Sequence, residues 1–255
     1  MRILITNDDG ITAPGLAVAE AIAHEIAGPD GDVWVVAPEN ERSGASHAIS
    51  YVEGLRLNQL DDRRFAVDGY PADCALVGIH KILRGTPPDL VISGVNRGHN
   101  VAEDVIYSGT VGAAMEGAMA GCRSVAFSQF YSSSSPEDLF ETSRALGADA
   151  LRKILAMPFP GQTFYNVNFP AVSVDAVQGM TVCPQGIRAD ATFDVVDYLA
   201  PNGRSFQFLK HGTRNSSASE GSDALLCSQG WVTITPLRPQ LTAMDLLDEA
   251  RAALG

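Results

Sequence analysis

No apolar run in this 255-residue chain approaches the roughly 20 residues that a membrane span needs. Its first apolar stretch, Ile3 to Ile5, is also too short for a secretory signal. Bases are in short supply: 18 Lys and Arg stand against 30 Asp and Glu, a formal net charge of −12. Nucleic-acid polymers and anionic membrane surfaces reward basic patches, so neither is expected as a partner. A small anionic substrate stays compatible if a local cation overrides that field. The four cysteines, Cys74, Cys122, Cys183 and Cys227, contain no C-x-x-C pair and read as buried free thiols of a cytoplasmic protein. The five histidines are not spaced as a zinc site, and there is no internal repeat. No G-x-G-x-x-G fingerprint follows the first strand, which argues against dinucleotide binding.

What is present is the patterning of an α/β protein. Residues 2–6 (RILIT) and 32–38 (DVWVVAP) are short strands too apolar to have a wet face, of the kind buried on both faces of a parallel sheet. Between them, Leu16, Ala19, Ala23 and Ile26 share one face of a helix over 16–27, completing a βαβ unit. Residues 49–69 suggest short antiparallel strands, 72–83 a helix entered through Pro71, and 88–94 a third buried strand. A small-sided helix over 110–120, a strand over 124–129 and a helix over 137–156 follow. Strands are expected at 164–170, 179–184, 206–210 and 231–237, and a last helix at 242–254. Residues 185–228 are irregular and polar, without a core pattern, and suggest a protruding arm or an interface. The expected fold is a single Rossmann-like, three-layer α/β domain over 1–255 with a mostly parallel central sheet.

Three core strands in turn release a polar, glycine-bearing loop at their carboxyl ends, the edge where open α/β sheets bind ligands. After the first comes Asn7-Asp8-Asp9-Gly10; after the second, Arg42-Ser43-Gly44-Ala45-Ser46; after the third, the run from Ser93 to Asn100. A fourth element, Tyr107-Ser108-Gly109-Thr110, opens the next helix. Asp8 and Asp9 converge only if the chain has left the strand, and Gly10 permits the bend. With oxygens from Ser43 and Asn96 they form an all-oxygen site suited to one hard divalent cation, Mg²⁺ or Mn²⁺. The Ser108-Gly109-Thr110 turn offers N–H groups and hydroxyls to an anion. A cation beside a phosphate cradle is the equipment of phosphoryl transfer or phosphate-ester hydrolysis. Taken singly, the acids are a solvated turn, and Ser108 and Thr110 are helix caps. The coincidence at one sheet edge carries the reading. His47 borders the second loop and His99 lies within the third, and both are secondary candidates for acid–base work.

The same segments, NDDG followed by APG, RSGAS at 42–46, SGVNRGHN at 93–100, DVIYSGTVGAAMEG at 104–117 and GWVTITPL at 230–237, resemble the SurE survival-protein family of metal-dependent 5′-nucleotidases. The resemblance covers most of the chain, is strongest over 1–128 and is thin over 185–228. It implies hydrolysis of nucleoside 5′-monophosphates, with 3′-monophosphates and short polyphosphate as further substrates. It also implies Asp8, Asp9, Ser43 and Asn96 as ligands of one metal ion per subunit, Asp8 and Asp9 as the catalytic acids, and Asn96, Asn100, Ser108, Gly109 and Thr110 near the substrate phosphate. Family members are dimers or tetramers, often exchanging C-terminal segments, which suits residues 185–228 as an oligomerisation arm. Three positions depart from the family: Ala102 replaces a frequent glycine, Glu103 an aspartate and Thr12 a histidine. The alternatives are a non-catalytic metal- and nucleotide-binding module, a covalent aspartyl-phosphate phosphatase whose nucleophile position would fall on Asn7, and a metal-dependent sugar transferase.

Overall fold

The structure is a computed structural model that describes residues 1–132, 135–188, 193–211 and 218–254. β1 (Arg2–Thr6), α1 (Pro14–Ala27) and β2 (Asp32–Pro38) form the first βαβ unit. β3 (Leu57–Asp61) and β4 (Arg64–Val67) pair antiparallel. α2 (Pro71–Val77) begins on its proline and continues into a wider helical turn, Gly78–Ile82. β5 (Leu90–Arg97), the short α3 (Asp104–Tyr107), α4 (Gly109–Met119) and β6 (Arg123–Gln129) come next. α5 (Glu141–Leu155) leads to β7 (Phe164–Phe169) and β8 (Gly179–Val182). The remaining elements are β9 (Phe193–Leu199), β10 (Ser205–His211), α6 (Asp223–Ser228), β11 (Trp231–Leu237) and α7 (Leu247–Leu254).

Nine strands make one sheet in the order β3-β4-β2-β1-β5-β6-β7-β11-β8. The pairings from β4 through β7 are parallel, and antiparallel pairs occur at β3–β4 and β7–β11. Side chains alternate across β1. Ile3 and Ile5 pack with α1 and α5 on one face, whereas Leu4 packs with Cys74 and Ile79 of the α2 region on the other. α4 covers that second face farther along, where Val111, Ala114 and Ala118 meet Ala126 and Phe164. Helices therefore sandwich the sheet, as the sequence pattern implied. From β1 the chain crosses to β2 on one side, and β5 takes the place on the other side. The carboxyl ends of β1 and β5 thus flank the switch point where a crevice opens.

Several boundaries differ from the sequence reading. α5 begins at Glu141 rather than 137, because the Asp138 carboxylate accepts the Phe140 N–H and turns the chain before the helix. The last helix starts at Leu247, after a single turn at Met244–Leu246. Within 185–228 only 206–210 was expected as a strand, yet β9 and β10 form a two-stranded antiparallel sheet with α6 following it. β9 (FDVVDYL) escapes pattern reading because its residues are exposed along the whole strand, so no apolar–polar alternation marks a buried face. All four cysteines are buried free thiols.

α1 lies so close to the sheet that a Cβ at Gly15 would come within 1.9 Å of the Val95 carbonyl oxygen. Gly15→Ala is therefore expected to lower unfolding stability by about 3 kcal/mol through overpacking. Gly54→Ala, which meets nothing within 4 Å, should change it by less than about 0.5 kcal/mol. Chemical denaturation of both variants checks the contrast.

Candidate active site

At the end of β1 the buried Asn7 side chain closes the turn that the two acids ride on. Its Nδ2 donates to the Gly10 carbonyl (2.9 Å), and its Oδ1 accepts the Gly10 N–H (3.2 Å). Gly10 has φ +101°, a conformation that L side chains rarely adopt. Once the strand is broken this way, Asp8 and Asp9 leave in different directions. Asp8 is buried against the first turn of α4, where the Thr110 hydroxyl donates to Oδ1 (2.5 Å). Gly109 makes room for it, since a Cβ there would sit 3.1 Å from the Asp8 Cβ. Asp9, half-buried, accepts the Arg97 N–H at the end of β5 (3.0 Å).

These surroundings push both acids upward. Burial is the largest cause for Asp8, and the neighbouring Asp9 charge adds to it; the Thr110 donors oppose the shift, but its pKa still rises from 3.8 to about 7. Asp9 is also raised, chiefly by burial and then by Glu41, with the Arg97 N–H and guanidinium working against the rise. The ionised pair is thus disfavoured by its own setting, a cost that a divalent cation held between the carboxylates would remove.

The other expected residues divide into two groups. Thr110 and Gly109 touch Asp8 directly. Ser108 caps α4 by accepting the Val111 N–H (3.1 Å). Asn96 lies beyond a register break in β5, and its Nδ2 donates to the Gly98 carbonyl, while its Oδ1 accepts no hydrogen bond among the described residues. Ser43 is exposed and donates to Glu41 (2.8 Å), but its loop is tied to the acids because the Arg42 N–H donates to the Asp8 carbonyl (2.8 Å). Asn100 belongs to a separate buried network: Nδ2 donates to Ser128, and its carbonyl accepts from Asn166 and Asn168. His99 is likewise turned inward, edge-on to Phe130, with Nε2 3.5 Å from Asp104.

A cavity of about 520 Å³ opens on Asp9, walled by Thr12, Glu41, Arg97, Asp138 and Phe140 among others. Sequence reasoning missed Glu41 and the 137–140 wall. Arg97 stood inside a quoted segment without a role. Only the fold brings the chain before α5 to this edge, so no local signal marked it.

The family model described as Survival protein SurE matches residues 3–192. The chain belongs to the SurE family. A protein of Cereibacter sphaeroides strain KD131, named 5′-nucleotidase SurE, is 49% identical over 264 aligned positions, covering 100% of both chains. One of Roseobacter denitrificans with the same name is 48% identical over 97% of each. The crystal structure of the SurE protein from Aquifex aeolicus superimposes with a TM-score of 0.83 at 34% identity, covering 100% of both chains.

Ala102 and Glu103, singled out in the sequence, have a definite physical setting here. Ala102 has φ +49°, where glycine is at ease, and its N–H donates to the fully buried carboxylate of Asp223. Glu103 binds the backbone N–H and Nε of the buried Arg188, whose Nη2 meets Asp104 (2.8 Å). These bonds tie the 102–104 turn to Arg188 and Asp223.

An acid that holds its proton more tightly when folded favours the folded state at low pH. Asp8 should therefore cost stability as pH climbs from about 4 to about 7, by roughly 4 kcal/mol once fully ionised. In chelator at pH 8, Asp8→Asn is expected to be more stable than the parent chain and to lose that part of the pH dependence. Unfolding curves between pH 4 and pH 8 check both.

Proposed function

We propose that this chain hydrolyses nucleoside 5′-monophosphates to nucleoside and phosphate with the help of one divalent cation, Mg²⁺ or Mn²⁺, held by Asp8, Asp9, Ser43 and Asn96. The observation that carries the reading is the placement of Asp8: a buried carboxylate beside a second acid, against the first turn of α4. Its relatives' name, 5′-nucleotidase, supports the same reaction. When bound, the cation supplies positive charge to the phosphate oxygens and to the attacking water.

The chain's own groups do the rest. The Gly109 N–H and the Ser108 hydroxyl, at the electropositive start of α4, donate to phosphate oxygens, while the Val111 N–H stays with Ser108 and the Thr110 donors stay with Asp8. Asp9 opens onto the cavity and takes the proton released as water attacks phosphorus, while Asp8 holds Thr110 in register. The bond from phosphorus to the ribose 5′ oxygen breaks, and that oxygen leaves with a proton taken from solvent, while Asp9 later returns its own proton to solvent. The cavity beside Asp9 has room for the nucleoside. The same machinery would accept 3′-monophosphates and short polyphosphate. Asn7 cannot serve as a covalent nucleophile, because it is an amide already spent on closing the turn.

We further propose a cytoplasmic dimer or tetramer. No helix among the described residues is long and apolar enough to cross a membrane. Val195, Leu199 and Leu209 on the β9–β10 sheet and Leu241 and Leu254 near the C-terminal helix are largely exposed. Large apolar surfaces of this kind are covered in assemblies, which supports the arm over 185–228 and exchange of C-terminal segments. Light scattering is expected to give two or four times the 27.0 kDa of one chain; one chain's mass would remove this part of the proposal.

The reaction itself is tested by phosphate release from a panel of nucleoside 5′- and 3′-monophosphates, with Mg²⁺, Mn²⁺ or chelator. Release that chelator abolishes is the expected outcome. Asp9→Ala should lower kcat at least about 10³-fold without unfolding the protein. Folded protein that releases no phosphate with any metal but still binds nucleotide would leave the binding module standing.

A further inference from the structure

The loop that carries Ser43 is fastened at both ends, and the far fastening has no role in the reaction described above. At the near end the Arg42 N–H donates to the Asp8 carbonyl. At the far end the Ser46 N–H donates to the Tyr107 carbonyl (2.9 Å), and its hydroxyl donates to the Ile106 carbonyl (2.6 Å). Ser46 has φ +56°, a conformation that a residue with a Cβ keeps only when its surroundings impose it. Gly112 of α4 lets the loop come close: a Cβ there would meet the Ser46 carbonyl oxygen at 2.9 Å and the His47 Cα at 3.0 Å. Just beyond, His47 Nε2 lies 2.6 Å from Oε1 of Glu116, whose carboxylate is buried two turns into α4.

Glu116 is the one charged residue of a helix otherwise made of Gly, Ala, Thr, Val and Met. A buried acid in such a helix costs free energy unless it is bonded. It points not at the acid pair but at the loop that faces it. Gly109 and Thr110, in contact with Asp8, open the same helix. One rigid element thus supports the Asp8 carboxylate at its first turn and the serine loop farther along.

We propose that His47 and Glu116 are positioning residues of this site: their bond latches the Ser43 loop to α4 and thereby sets the affinity of the acid pair for its cation. The inference rests on the metal-dependent nucleotidase reading. Neither residue touches the cation or the phosphate. The bond acts by restricting where the Ser43 hydroxyl can lie relative to Asp8 and Asp9. Outer residues that orient metal ligands typically change metal affinity by about 10–100-fold when removed.

The test is direct Mn²⁺ binding to the full chain, followed by the loss of the free-ion paramagnetic resonance signal, alongside thermal unfolding. His47→Ala and Glu116→Ala are each expected to weaken Mn²⁺ binding about tenfold. Glu116→Gln keeps an acceptor for His47 and should stay within about twofold of the parent chain. His47→Ala/Glu116→Ala should fall no further than either single variant, because the two act as one unit. Parent-like binding by both alanine variants, even with a lowered melting temperature, would reduce the pair to a fold-stabilising contact and overturn the inference while sparing the nucleotidase reading. A loss in Glu116→Gln as large as in Glu116→Ala would overturn it too, by showing that charge and not the bond matters. Absence of Mn²⁺ binding by the parent chain would remove both the reading and the inference. Should Glu116→Ala fail to fold, the part-exposed His47→Ala decides alone.

Discussion

A carboxylate buried at the switch point of the sheet, next to a second acid, is the constraint around which the rest of this molecule is arranged. Asp8 sits where desolvation and the Asp9 charge both oppose ionisation, and the Thr110 hydroxyl offsets only part of that cost. Several features that look unrelated in the sequence answer to it. Asn7 and Gly10 break β1, so that Asp8 turns into the start of α4 while Asp9 meets the end of β5 and the cavity. A Cβ at Gly109 would crowd both Pro71 (2.9 Å) and Asp8 (3.1 Å). Gly15 is small because α1 must reach the sheet directly behind β5. Stability is given up at the site and regained in the apolar layers on either face of the sheet, the usual exchange in an active centre.

Much of this was legible in the sequence, for reasons that differ from element to element. Buried parallel strands such as RILIT and LVIS are short apolar runs with no wet face, so they stand out by composition. The ends of those strands were readable because glycine, asparagine and serine cluster there, and the topology rule then gathered their loops at one edge. β9 was not readable, since a strand exposed on both sides carries no period. The wall formed by residues 137–140 was invisible for another reason: its place at the site depends on how α5 packs on α1, a relation between segments more than 100 residues apart. Asn100 lay inside a quoted segment, yet its amide is committed to Ser128 and not to the acids. Chemistry-bearing segments announce a site; the orientation of each side chain within them is a property of packing.

The site is also tied to parts of the fold that do no chemistry. Asp223 and Arg188, from the region with the weakest sequence pattern, hold the backbone of Ala102 and the carboxylates of Glu103 and Asp104. Tyr107, next to the helix start, packs edge-on against Phe193 at the beginning of β9 (5.2 Å between ring centres). The β9–β10 sheet therefore touches the segment that leads into the first turn of α4. Ala102, with φ +49°, belongs to the first of these anchorages. It is held by bonds on both its N–H and its carbonyl, the latter from Gln185.

The central claim is that the buried acids form a cation site, and anomalous diffraction from crystals grown with Mn²⁺ tests it most directly. One Mn²⁺ per chain is expected, roughly 2.1–2.3 Å from oxygens of both Asp8 and Asp9, with the Asn96 Oδ1 and the Ser43 hydroxyl turned toward it. A fully saturated crystal in which this position stays empty, or in which Mn²⁺ binds elsewhere on the chain, would contradict it.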